Sequence, residues 1–136
     1  NIGVIMRQEG WENRLEELVQ SKRNQPFNWA YNNCMGFVAE AQKTITGETD
    51  FPEVLENLGS KNNALKLVLK NGSLTDWVNK HLDQIPITMA RRGDIVDVET
   101  CEGPAMGLCI GSRAVFIGKD GLEYISLTSL IRAWRV

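Results

Sequence analysis

Apolar residues in this chain change their period at Pro86. Upstream they recur every three or four positions, as on one face of a helix; downstream they fall in short β-branched runs divided by glycine-containing turns. Helices first and strands second predict an α+β domain in which N-terminal helices pack on a C-terminal antiparallel sheet. The expected strands are Ala90–Val98, where a Gly–Asp turn precedes the apolar run, then 105–110, 114–118, 122–127 and 132–136. About five short strands is a common sheet size. With 136 residues, 43% of them hydrophobic, the chain is expected to form one domain over 1–136, since it can fill one core but not two.

Within the helical half, Trp11, Leu15, Leu18 and Val19 mark the inner face of a first helix ending near Lys22, its charged face turned to solvent. Pro26 makes the following Ser21–Asn28 segment an extended connector. The stretch from Trp29 to Gly47 then carries Cys34, Phe37, Val38, Ala41 and Ile45 at helical spacing, with Gly47 as a left-handed stop. Cys34 is therefore expected in a first helical turn, where unpaired N–H groups favour a thiolate. Residues 50–82 read as a helical insertion of three short pieces. Pro52 opens the first and Gly59 ends it, Ser60 caps the second (Leu65, Val68, Leu69), and Ser73 with Asp76 opens the third (Leu74, Trp77, Val78, His81).

A net charge of −2, with basic residues scattered among acidic ones, lacks the footprint of a nucleic-acid binder. No apolar run approaches the roughly 18 to 20 residues that span a bilayer, so no membrane insertion is expected. Cys34, Cys101 and Cys109 are odd in number and lack CxxC spacing, which argues against a disulfide framework and a zinc site and for reduced thiols; no metal or cofactor is expected. Since Asn1 opens the chain, residues 1–5 are expected to be a foreign leader, with Met6 the natural start.

The segment Phe27–Val38, FNWAYNNCMGFV, resembles the nucleophile motif of NlpC-type cysteine peptidases, small papain-like enzymes that cut bacterial cell-wall peptides. That pattern reads Asp-Cys-Ser-Gly-Phe/Leu-Val; here Asn33 and Met35 replace Asp and Ser around Cys34, while Gly36, Phe37 and Val38 match. The family's later Pro-Gly-Asp strand and His-Val-Gly-Ile-Tyr-Leu-Gly strand are similar to Arg92–Val96 and Ala105–Gly111. The chain is more similar still to a group of short phage tail proteins with this plan, which share an Arg-Arg-Gly-Asp strand and the ending Arg132–Ala133–Trp134–Arg135–Val136.

The resemblance implies a papain-like, NlpC-like fold with Cys34 as vestigial nucleophile. It puts Ala105 at the histidine position and Ile117 at the third polar position, so neither partner could carry a proton. It thus implies a phage or prophage tail protein, structural or assembly-related, that has lost its catalytic histidine; its partners are other tail proteins and its location the virion tail, after synthesis in the bacterial host cytoplasm. One alternative is an active peptidase or amidase on cell-wall peptides, with His81 or a neighbouring subunit supplying the base. Another is a module that binds peptide or glycan without cutting.

Residue by residue, both functional and structural readings stand. Cys34 is a reactive thiol or a small packing residue; His81 is a relocated base or a packed helix histidine. Trp29 and Tyr31 floor a binding groove or fill the core, and Asn33 contacts a ligand or caps the helix. Cys101 sits in a turn, and Cys109 shares a core-facing strand face with Ala105 and Gly107. Arg132, Trp134 and Arg135 form either an assembly interface or an edge strand whose arginines discourage aggregation.

Overall fold

The computed structural model describes residues 6–136, so the leader expected at 1–5 lies outside the described residues. Helix α1 (Trp11–Lys22) buries Leu15 and Val19 against α2 (Cys34–Thr46), and Lys22 Nζ ties the pair by donating to Glu40 at 3.1 Å. Local chemistry sets both ends of α2. The Asn33 side chain accepts from the N–H of Gly36 at 2.8 Å, and Gly47, at φ 90°, ends the helix in the left-handed conformation that its missing Cβ permits.

Three short helices follow, as the capping residues predict. They are α3 (Pro52–Glu56), α4 (Lys61–Lys70) and α5 (Leu74–Asn79), with Ser60 and Ser73 accepting from the N–H groups of Asn63 and Asp76. Gln42, buried on α2, anchors the segment that leads into them, donating to Asp50 Oδ2 at 2.6 Å and accepting from Thr49 Oγ1 and the Asp50 N–H. Helix α4 departs from the expected pattern, because no residue of it is buried and Leu69 points to solvent. Its half-buried apolar side consists of Ala64, Leu65, Leu67 and Val68. His81 lies beyond the end of α5 and is exposed, a correction to its expected place on the helix.

The sheet has six antiparallel strands where about five were expected. They are β1 (Gln84–Ile85), β2 (Ile95–Thr100), β3 (Gly103–Cys109), β4 (Arg113–Gly118), β5 (Gly121–Ser126) and β6 (Arg132–Trp134), in the order β1-β6-β2-β3-β4-β5. The added strand is β1, two residues long and too short to show alternation in the sequence; it pairs Gln84 with Trp134. The strand expected from Ala90 starts later, because residues 91–94 form a turn in which Gly93 has φ 96° and Asp94 Oδ2 accepts from the Arg91 N–H at 2.9 Å.

One sheet face, carrying Ile95, Met106, Leu108, Val115 and Trp134, packs on the helices. The other carries Val96, Cys109, Ala114, Phe116 and Ala133 and is covered by Leu130 with Ile85, Ile87 and Leu127. Cys109 is buried there, as strand alternation predicts.

Two buried aspartates hold distant segments together. Asp94, with no exposed surface, accepts from Arg7 Nη2 and the Val136 N–H, each at 3.0 Å, and pairs with Arg135 at 3.4 Å. Asp97 receives the N–H and Nε of Arg132, both at 2.8 Å, and the hydroxyl of Thr75 at 3.2 Å. The closing segment is thus not an edge strand. Strand β6 lies between β1 and β2, Trp134 is fully buried with its Nε1 donating to Asn79 Oδ1 at 2.7 Å, and both arginines are ion-paired within the chain.

Strands β3 and β4 approach closely at Gly107. A Cβ there would sit 2.3 Å from the Val115 carbonyl oxygen and 2.6 Å from the Phe116 ring. Since backbone cannot step aside as a flexible side chain can, Gly107→Ala is expected to cost about 1–3 kcal/mol, the usual range for overpacking, measured as a lowered midpoint in urea with an unchanged slope. An unshifted midpoint would show that the two strands can part freely.

Candidate functional site

The approach to Cys34 is built by asparagines. Asn28 Oδ1 accepts from the N–H groups of Ala30 and Tyr31 at 2.9 and 3.0 Å, and Asn28 and Asn32 exchange two backbone hydrogen bonds. This tight turn delivers Asn33 to the helix start, where its Nδ2 also donates to the Trp29 carbonyl at 3.0 Å. Both hydrogen-bonding ends of Asn33 are therefore engaged within the chain, so the capping reading accounts for it. The Phe27 ring meets the Trp29 ring edge-on at 5.1 Å, which steadies the indole at the cavity wall.

Cys34 then opens α2 against β3. Strand β3 pairs with β2 along its length but with β4 only at Leu108 and Cys109, which leaves Pro104–Met106 without β4 partners. A cavity of about 340 Å³ occupies this opening, bounded by α2, by Met106 and Ile117 from the strands, and by the insertion helices through Leu67, Val68 and Trp77.

The residue facing Cys34 differs from the one the resemblance implied. Ala105 borders the cavity but packs with the cluster on the far face of the sheet, whereas Met106 belongs to the helix-facing core. Strand alternation decides this, since a shift of one residue exchanges faces. Ile117 lines the same cavity as Cys34. Trp29 also borders the cavity, whereas Tyr31 stands apart from it with 67% of its surface exposed.

Among the described residues, Glu102 is the only acid bordering the cavity, and no histidine, lysine or arginine joins it. His81, the single histidine of the sequence, instead meets the Phe51 ring edge-on at 5.5 Å. Among the described residues no group of three or more histidine, cysteine or acidic side chains could hold a metal ion, and no helix is long and apolar enough to cross a membrane.

These surroundings set the thiol. Burial pushes the Cys34 pKa up, and the backbone N–H groups of Met106, Met35 and Cys34 itself only partly oppose that rise. The helix-start effect expected from the sequence is therefore outweighed by desolvation, which favours the neutral thiol. With iodoacetamide, the exposed Cys101 is expected to react first, and Cys34 only as pH climbs beyond the ordinary thiol value of about 8.5. A group whose neutral form the fold favours binds more protons folded than unfolded. Stability should accordingly be level below the unfolded thiol pKa and decline as pH rises above it, with the decline smaller in Cys34→Ala. Peptide mapping of the alkylated sites checks the order, and Cys34 outrunning Cys101 near neutral pH would contradict it.

Sequence reasoning located Cys34, Asn33, Trp29 and Ile117 but missed Met106, Leu67 and Trp77. Period-two alternation from the buried Leu108 could have found Met106. Nothing local in the sequence brings Leu67 or Trp77 to the cavity, because their approach depends on how the insertion folds back. A comparison with curated proteins finds no match to the chain. Residues 6–136 match the model of a family described as a domain of unknown function, DUF6950, and the chain belongs to that family.

Proposed function

We propose that this chain is a non-catalytic, papain-like tail protein of a phage or prophage, acting in tail structure or assembly alongside other tail proteins. The observation that carries the non-catalytic part is the setting of Cys34. It stands at a helix start, where the resemblance puts a nucleophile, yet among the described residues its cavity has no imidazole, and desolvation favours its protonated form. A peptidase thiol must lose its proton to a neighbour and return one to the leaving amine; Met106 and Ile117 can do neither. General acid–base help is worth about 10²- to 10⁴-fold, so its absence removes turnover on a useful timescale. The tail assignment draws its support from the sequence resemblance around Phe27–Val38, Arg91–Asp94 and Arg132–Val136.

Incubation of the purified chain with bacterial cell-wall peptides is expected to release no product. Mass spectrometry of tail particles from an induced prophage that encodes the chain is expected to detect it as a component. Cleavage that disappears in Cys34→Ala would overturn the non-catalytic reading, and its absence from the particles would overturn the tail assignment.

A further inference from the structure

Helix α4 has a sequence suited to burial on one side, yet that side is only half-buried. Ala64, Leu67 and Val68 recur at helical spacing and all border the cavity, and no residue of α4 is fully covered. An amphipathic helix of this length gains its stability from covering its apolar side. Here that side faces about 340 Å³ of space, a volume at the small end of the range for ligand pockets.

The charge inventory narrows what the cavity can hold. With no lysine or arginine in the lining and Glu102 as its single charged residue, the cavity offers nothing to offset a buried anion.

We infer that the cavity between α4 and strands β3 and β4 binds an uncharged, largely apolar small molecule. Its apolar body covers Leu67, Val68, Met106 and Ile117, and so completes the burial of α4. The inference stands apart from the proposed function, since binding requires neither tail residence nor an inert thiol.

The test uses the full chain and two probes, the fluorescent apolar amine N-phenyl-1-naphthylamine and the neutral ketone 2-octanone as competitor. Emission of the first should rise saturably with one site per chain, and the ketone should displace it. Leu67→Arg should weaken both probes at least about tenfold by placing a charge in the apolar wall, while Leu69→Arg, on the exposed side of the same helix, should change neither. Circular dichroism confirms that each variant is folded; if Leu67→Arg is not, Ala64→Lys replaces it. Absence of saturable binding, or equal binding by wild type and a folded wall variant, would overturn the site. The readout is probe binding and needs no release of cell-wall product, so a failure here is distinct from any finding of catalysis.

Discussion

Asp94→Ala is expected to lower the stability of the fold by about 3–5 kcal/mol, the cost of breaking a buried ion pair by removing one partner. The carboxylate has no exposed surface and holds Arg7, Arg135 and the N–H groups of Arg91 and Val136. Its removal strands the Arg7 guanidinium, whose side chain is only 10% exposed. It also leaves two part-buried N–H donors short of an acceptor. In a domain of this size the melting temperature should fall on the order of 10 °C. Asp94→Asn keeps the shape and one acceptor oxygen, so its loss should be smaller. Calorimetry or thermal circular dichroism on the three proteins reads the order directly, and a shift of under about 1 kcal/mol for Asp94→Ala would show that the cluster is dispensable. The physical point is that Asp94 joins segments far apart along the chain. The Arg91–Asp94 motif thus serves as the knot between the beginning, the end and the central turn of the described residues.

Trp134→Ala is the second large effect, and it separates core from interface. Truncating a fully buried aromatic costs about 3–5 kcal/mol, and here the Asn79 side chain also loses the donor at 2.7 Å. Trp134→Phe, which retains most of the volume, should cost nearer to 1 kcal/mol, the usual worth of the lost hydrogen bond. The measurement is unfolding in urea at two protein concentrations. A core residue lowers the midpoint equally at both, whereas a tryptophan that stabilised an assembly would make the loss depend on concentration. A monomer left as stable as wild type by Trp134→Ala would contradict the buried placement.

The terminal Arg-Ala-Trp-Arg-Val run shows why residue type alone misleads about location. Tryptophan and arginine dominate interfaces because they combine apolar area with hydrogen-bonding capacity, and the same properties suit a strand enclosed on both sides by its own sheet. Composition cannot separate the two settings; what separates them is the position of β6 between β1 and β2, which rests on pairings with residues some 35 to 50 positions away.

What the sequence by itself determined is whatever depends on a few adjacent residues. The division into helices and strands at Pro86, the caps supplied by Ser60 and Ser73, the stop at Gly47 and the first-turn place of Cys34 all follow from local hydrogen bonding and side-chain period. Only the tertiary structure decided which β3 residue faces the sulfur, where β6 sits in the sheet, that Asp94 joins Arg7 to Val136, and that α4 turns its apolar side toward a cavity. Each of these depends on register or docking between segments distant in sequence. A one-residue shift in such an arrangement exchanges a buried side chain for an exposed one without altering any local preference.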